Sequence, residues 1–190
     1  MRAALIVVDM QRDFLPGGSL AVPEADKIIP RLNDYVRLFE ERQELVVFTR
    51  DWHPEGHSSF VTRGGAWPVH CVQGTAGAEI DPRLLFPPTC LLVSKATSSD
   101  IEAYSAFQGT GLARTLKGLG IARVFAGGVA TDYCVRSTVL DSIKNGFETL
   151  LLGDAVRGVD LKPGDSARAV EEMRKAGARV ISLEGARAMI

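Results

Sequence analysis

The feature that most constrains the fold is an alternation of short apolar runs with amphipathic segments. The six apolar runs lie at residues 3–9, 45–49, 90–94, 123–127, 149–153 and 179–183. Each has the composition of a strand buried on both faces, which is typical of a parallel sheet. Amphipathic segments with helical spacing lie at residues 25–42, 111–119, 131–145 and 165–176. This order predicts an α/β fold with three α/β/α layers and a six-stranded parallel sheet of Rossmann-like topology.

The length and the charge of the chain exclude several classes of protein. At 190 residues the chain suits one globular core, and we predict a single domain over residues 1–190. The formal net charge is −1 with acidic and basic residues interspersed, which gives no basic surface for nucleic acid or an anionic membrane. No apolar run approaches the roughly 18 residues of a membrane-spanning helix. We therefore expect a small-molecule partner, no nucleic acid and no membrane, and the sequence leaves a homo-oligomer open.

The cysteine content indicates a reducing compartment. Cys71, Cys90 and Cys134 are odd in number and lack the Cys-x-x-Cys spacing of redox or metal motifs. The N-terminus leads directly into the first apolar run, without the pattern of a secretory leader. We therefore expect a cytoplasmic protein with free thiols.

Residues 124–134 have the pattern of a buried strand, a glycine turn and the start of a helix, with Cys134 in the first helical turn. We expect Thr131 or Asp132 to cap this helix and residues 145–146 to end it. Free N–H groups and the dipole at a helix start favour a thiolate, so we expect a lowered pKa for Cys134. The same N–H groups could hold an oxyanion. Most free cysteines are simply small buried apolar residues, and this pattern alone leaves that alternative open.

Four of the predicted strands end next to reactive side chains. Asp9 ends the first run, Asp51 and His53 follow the second, Lys95 follows the third, and Cys134 follows the fourth. The carboxyl ends of parallel strands meet at one edge of a sheet, and ligands bind there where the strand order reverses. We therefore predict that these side chains share one cleft, with the first and fourth strands adjacent. Taken alone, Asp9 could be a loop cap and Lys95 a surface cation.

A candidate metal site lies in the long segment 50–89, which carries all three histidines. Asp51 and His53 are two residues apart, so on extended backbone their side chains point the same way. His70 could supply a third ligand. Two histidines and a carboxylate leave coordination positions open, as in catalytic zinc sites, and the set also suits iron or manganese. His57 could be a fourth ligand, but we expect it to order the loop instead.

Five short motifs span nearly the whole chain. They lie at residues 8–14, 17–20, 51–54, 67–75 and 128–134 and read VDMQRDF, GGSL, DWHP, WPVHCVQGT and GVATDYC. In this order and spacing they resemble the nicotinamidase/pyrazinamidase branch of the isochorismatase-like cysteine hydrolases. The resemblance implies the isochorismatase-like form of the Rossmann-like topology predicted above.

The resemblance also implies a role for each candidate residue. Two sets of three residues take the central roles: the catalytic triad Asp9, Lys95 and Cys134, and the metal ligands Asp51, His53 and His70. The implied metal is one divalent ion, with Zn²⁺ expected and Fe²⁺ or Mn²⁺ as alternatives.

The resemblance further implies how the substrate is held. It implies a cis peptide bond between Val129 and Ala130, which aims the N–H groups of Ala130 and Cys134 into an oxyanion hole. The residues expected to contact the substrate are Phe14, Trp67, Tyr104 and Ala130. The three aromatic residues among them could form walls around a flat ring, although aromatic side chains also belong to ordinary cores.

The implied reaction is the hydrolysis of nicotinamide, and of pyrazinamide, to the acid and ammonia through a cysteine thioester. Asp9 would take the proton of Cys134, Lys95 would keep both groups anionic, and the metal would bind the pyridine nitrogen. One alternative is hydrolysis of another small amide, as in metal-free relatives. Another is a non-catalytic thiol redox or metal-binding protein, in which Cys71 would be the resolving cysteine.

Overall fold

The computed structural model describes all 190 residues and is built around one six-stranded parallel sheet. The strands are β1 (Arg2–Val8), β2 (Leu45–Asp51), β3 (Leu91–Lys95), β4 (Ile121–Val129), β5 (Glu148–Arg157) and β6 (Arg179–Ile181). Their order across the sheet is β3-β2-β1-β4-β5-β6, and every neighbouring pair is parallel. The predicted fold class is confirmed.

Helices cover both faces of the sheet. They are α1 (Ile29–Glu41), α2 (Leu112–Gly118), α3 (Arg136–Lys144), α4 (Asp165–Ala176) and α5 (Leu183–Arg187). Helices α1 and α5 share one core of 28 buried residues with one face of the sheet, and α2, α3 and α4 share a core of 18 with the other. None of these helices combines the length and the apolar composition needed to cross a membrane.

The apolar run of β1 has no polar face because both of its faces are covered. Leu5 and Val7 belong to the core under α1, whereas Ala4 and Ile6 belong to the core under α3. The prediction of burial on both faces is wrong for the edge strands β3 and β6. Leu92 in β3, for example, is 42% exposed, because this strand lies at the edge of the sheet, where helices cover the faces less completely.

Three predicted segments change to another kind of structure at one end, and several others differ by a few residues in length. The segment 25–42 begins as a 3₁₀ turn before α1, and the segment 131–145 begins as a π-helical turn, Thr131–Val135, before α3. The run 179–183 ends as a strand at Ile181, and its last residue begins the unpredicted helix α5. Five residues of helix are too few for a helical period to be recognisable.

The strand order reverses between β1 and β4, as expected. These two strands lie side by side up to their carboxyl ends, where Val8 pairs with Gly128. Gly128 has a φ of +122°, and a Cβ atom there would lie 2.1 Å from the carbonyl oxygen of Val8. Only glycine allows this close approach. With β2 on the other side of β1, the ends of four strands open into one cleft.

Candidate active site

The four strand ends bring their reactive side chains together, as predicted. Asp9 directly follows β1 with a left-handed φ of +50°, Asp51 and Lys95 are the last residues of β2 and β3, and Cys134 lies in the turn after β4. All four side chains are buried. Oxygen atoms of Asp9 and Asp51 and the Cys134 sulfur lie within 4.8 Å of one another.

Lys95 lies at the centre of this cluster. Its Nζ donates hydrogen bonds to Asp51 Oδ1, to the carbonyl oxygen of Ala103 at 3.2 Å and to Cys134 Sγ at 3.5 Å. It also lies 2.9 Å from Asp9 Oδ2. Burial would lower the pKa of Lys95, but the charges of Asp51 and Asp9 hold it well above its usual value. The amine is therefore a buried cation paired with two carboxylates.

The carboxylate of Asp9 is held at one oxygen and free of directed hydrogen bonds at the other. Thr49 Oγ1 donates to Oδ1 at 2.6 Å, whereas Oδ2 accepts no directed hydrogen bond and faces the cation of Lys95. Burial raises the pKa of Asp9 above its ordinary value, although Lys95 and Thr49 act in the opposite direction. Asp9 is therefore a stronger base than a surface aspartate.

The prediction of a lowered pKa for Cys134 is wrong. Burial raises the pKa of this thiol well above its usual value, and only the positive charge of Lys95 acts the other way. The effect of burial on the pKa of Cys134 therefore outweighs the effect of the helix start. The thiol needs a base to lose its proton.

The capping prediction is also wrong. Neither Thr131 nor Asp132 caps the helix through its side chain. Asp132 instead accepts hydrogen bonds from the backbone N–H groups of Val159 and Asp160, at 3.0 and 2.9 Å. Side-chain capping is absent because the first turn is π-helical: the Val135 N–H donates to the carbonyl oxygen of Ala130. The expected end of the helix is present: Asn145 is the C-cap of α3, and Gly146 follows it with a φ of +88°.

A backbone donor lies beside the thiol. The peptide bond between Val129 and Ala130 is cis, as the family resemblance implies. The N–H group of Ala130 donates to no other backbone group, and Ala130 and Cys134 line the same cavity. This arrangement suits a site for a developing oxyanion.

The three expected metal ligands form a compact, buried group. Ligand atoms of Asp51, His53 and His70 lie within 4.8 Å of one another. Both ring nitrogens of His53 are buried without a hydrogen-bond partner. His70 Nδ1 lies 2.7 Å from the carbonyl oxygen of Pro68, which accepts its proton and leaves Nε2 free for an ion. Burial lowers the pKa of His70, which favours the neutral form that binds metals. The residues therefore fit a divalent metal.

His57 lies beside this group, but its ring nitrogens are occupied. Nδ1 contacts Ser59 Oγ at 2.7 Å, and Nε2 lies 3.2 Å from the carbonyl oxygen of Ile101. The ring packs on His53 with centroids 4.2 Å apart. These contacts match the expectation that His57 orders the loop and is not a ligand.

Replacing His53 by alanine should strongly weaken zinc binding. Loss of a residue that only hydrogen-bonds to a metal ligand lowers metal affinity by roughly 10- to 100-fold. Loss of one of the three ligands themselves should lower zinc affinity by more than that. Competition with a chromophoric chelator measures this change. His57→Gln is the matched control and should keep about one zinc ion per chain. Equal zinc loss in both variants would place His57 among the ligands.

A cleft opens onto the Cys134 thiol. All four residues expected to contact the substrate line it, and five further lining residues were not predicted: Leu20, Val22, Glu102, Tyr133 and Val159. Trp67 Nε1 donates to the hydroxyl of Tyr104 at 2.9 Å, and the Trp67 ring packs edge-to-face on Tyr133. The mostly apolar, aromatic walls suit a small flat ring.

Two further polar residues were missed by the sequence analysis. Gln11 donates to the carbonyl oxygens of Asp51 and Ala78 and accepts from the Asp51 N–H, so it holds the backbone of a metal ligand. Thr49 holds Asp9. Gln11 lies within the motif VDMQRDF, which was a usable signal, but Thr49 lies in a strand and shows none.

Known proteins resemble this chain in sequence and in fold. The Isochorismatase domain family matches residues 3–185. The nicotinamidase of Escherichia coli is 37% identical, covering 95% of this chain and 94% of that protein. Two solved structures are also similar. The pyrazinamidase of Pyrococcus horikoshii in complex with zinc is 56% identical, with a TM-score of 0.93 and 96% and 100% of the two chains covered. PnC1 of L. infantum in complex with nicotinate is 39% identical, with a TM-score of 0.89 and 95% and 92% covered.

Proposed function

The chain belongs to the isochorismatase family, and we propose that it acts as a nicotinamidase, converting nicotinamide to nicotinate and ammonia. The observation that carries the proposal is one apolar cleft that reaches two buried groups of residues. Cys134, the thiol of the thiol–carboxylate–ammonium cluster, lines the cleft together with Asp51 and His70 of the metal-ligand group. Relatives that share nearly the whole chain are nicotinamidases and pyrazinamidases, so pyrazinamide is a second expected substrate.

We assign the first half of the reaction to Cys134 and Asp9. Asp9 Oδ2 takes the thiol proton as Sγ attacks the carboxamide carbon, and a tetrahedral intermediate forms. The N–H groups of Ala130 and Cys134 hold its oxyanion. The C–N bond then breaks, and the nitrogen takes the proton from Asp9. Ammonia departs, and the acyl group remains on Cys134 as a thioester.

The second half returns the enzyme to its starting state. Asp9 removes a proton from water as the water oxygen attacks the thioester carbonyl. The C–S bond breaks, Cys134 regains a proton, and nicotinate is released. Lys95 remains protonated throughout, because its pKa is held well above its usual value, and it stabilises the negative charge on either partner.

Asp51, His53 and His70 would hold the metal ion. Zinc fits this donor set, with iron or manganese as chemical alternatives. When bound, the ion would supply a Lewis acid for the pyridine nitrogen and so help to orient the ring. Phe14, Trp67 and Tyr104 are assigned to the walls on which the ring packs.

The alternative of a redox sensor has little support. Its resolving thiol would be Cys71, which is fully buried, and burial raises its pKa well above the usual value. A sensor cysteine is instead accessible and easily ionised. We also propose a cytoplasmic location, because all three cysteines are free, and a single domain over residues 1–190.

Release of ammonia from nicotinamide tests the proposed function. Zinc-loaded protein should release one ammonia and form one nicotinate per turnover, and removal of the metal by a chelator should reduce kcat/KM for nicotinamide by roughly 10⁴-fold. Restoring zinc should restore the rate. Ammonia release from another small amide but not from nicotinamide would favour the alternative hydrolase, and absence of any amide hydrolysis would remove the enzymatic proposal.

A further inference from the structure

The carboxylate of Asp9 has an unusual set of contacts for a fully buried acid. Thr49 Oγ1 donates the hydrogen bond to Oδ1, at 2.6 Å. The other oxygen accepts no directed hydrogen bond. That second oxygen, Oδ2, faces the ammonium group of Lys95 at 2.9 Å.

Lys95 contacts the oxygen of Asp9 that Thr49 does not hold. Its Nζ lies 2.9 Å from Oδ2, whereas Thr49 bonds Oδ1. An ammonium group has three protons, and Lys95 Nζ lies near four acceptors: Asp9 Oδ2, Asp51 Oδ1, the carbonyl oxygen of Ala103 and Cys134 Sγ. The contact with Oδ2 is therefore shared with other acceptors, and Thr49 is the side chain that bonds Oδ1.

The sheet holds Thr49 firmly in this position. Thr49 is a fully buried residue of β2, the strand that pairs with β1. The backbone N–H of Asp9 lies 3.2 Å from both the carbonyl oxygen and Oγ1 of Thr49. Backbone and side chain of Asp9 are therefore both tied to one residue, at the point where the chain leaves β1 with a left-handed φ.

We propose that Thr49 is the positioning residue for the base: its hydroxyl holds Asp9 Oδ1 and thereby keeps Oδ2 directed at the Cys134 thiol. This role rests on the proposed function of Asp9. Proton transfer requires heavy atoms within hydrogen-bond reach and good alignment, so loss of the hydroxyl should slow the chemical step while leaving the ring-binding cleft intact.

Thr49→Val removes the hydroxyl and keeps the shape, whereas Thr49→Ser keeps the hydroxyl. In the zinc-loaded enzyme, we expect Thr49→Val to lower kcat by roughly 10- to 100-fold with KM for nicotinamide within about twofold. Thr49→Ser should retain kcat within about threefold of wild type. The matched control is Thr149→Val, which removes a buried threonine hydroxyl of β5 that bonds Ser142 and Phe147. It should leave kcat unchanged.

A second measurement separates this proposal from the proposed substrate. The rate at which iodoacetamide alkylates Cys134 at pH 7 does not depend on nicotinamide, and we expect Thr49→Val to reduce it at least about fivefold. Unchanged alkylation and unchanged kcat in Thr49→Val would overturn the role of Thr49. Equal losses in the valine and serine variants would instead assign the effect to packing and also overturn it. Wild-type protein that fails to hydrolyse nicotinamide but shows the alkylation difference would contradict only the proposed substrate.

Discussion

Cys134→Ala should reduce nicotinamide hydrolysis by roughly 10⁴-fold or more, to the limit of detection. Loss of a nucleophile removes the covalent route altogether, and the rate that remains in such enzymes comes from binding and oxyanion contacts alone. Alanine is well tolerated in a helical turn, so the fold and the zinc content should persist. Ammonia release by purified zinc-loaded variant measures the effect.

Cys90→Ala is the matched control for this experiment. Cys90 is a free, half-buried thiol that directly precedes β3, at the end of that strand opposite to Lys95. This variant should keep wild-type kcat and KM. Turnover above about 1% of wild type in Cys134→Ala, with the protein folded, would remove Cys134 from the nucleophile role.

Nicotinamide should be preferred over benzamide by roughly 10⁴-fold in kcat/KM, because a site built around one polar contact rejects an analogue that lacks it. The two amides share the carboxamide and nearly the same shape, but benzamide has no ring nitrogen to bind the ion held by Asp51, His53 and His70. Ammonia release from both amides by zinc-loaded protein measures the preference.

Chelated protein is the control for this comparison, since the preference should largely disappear when the ion is removed. His53→Ala should behave like the chelated protein. If zinc-loaded enzyme turned over benzamide as well as nicotinamide, ring ligation would be excluded. The ion would then have another role, such as stabilising the segment 50–89.

The strand positions were predictable because a central strand of a covered parallel sheet must be apolar on both faces. That requirement leaves a continuous run in the sequence, as in β1. Which strands lie at the edges was not predictable, because the run 90–94 is as apolar as the others. Exposure of Leu92 depends on the order of the strands, which is a property of the whole sheet.

The site residues that could be predicted are those whose positions follow from the strands. Asp9, Lys95 and Cys134 could be found because each follows a recognisable strand, and topology brings such positions together. Thr49 and Val159 could not, since their importance comes from contacts with residues far away in the sequence. The pKa of Cys134 was mispredicted for a related reason. A helix start is visible in the sequence, but the enclosure that raises the pKa is not.

The pairing of β1 with β4 has a consequence for how the protein acquires its reactivity. It joins the first residues of the chain to residues beyond position 120, with Arg2 opposite Ile121 at one end and Val8 opposite Gly128 at the other. Closing so long a loop costs more chain entropy than forming contacts between residues close together in the sequence. Asp9 and Cys134 meet only when that pairing is complete. In a chain that is only partly folded, Cys134 therefore lacks its base and is an ordinary thiol. It becomes a nucleophile only in the folded protein.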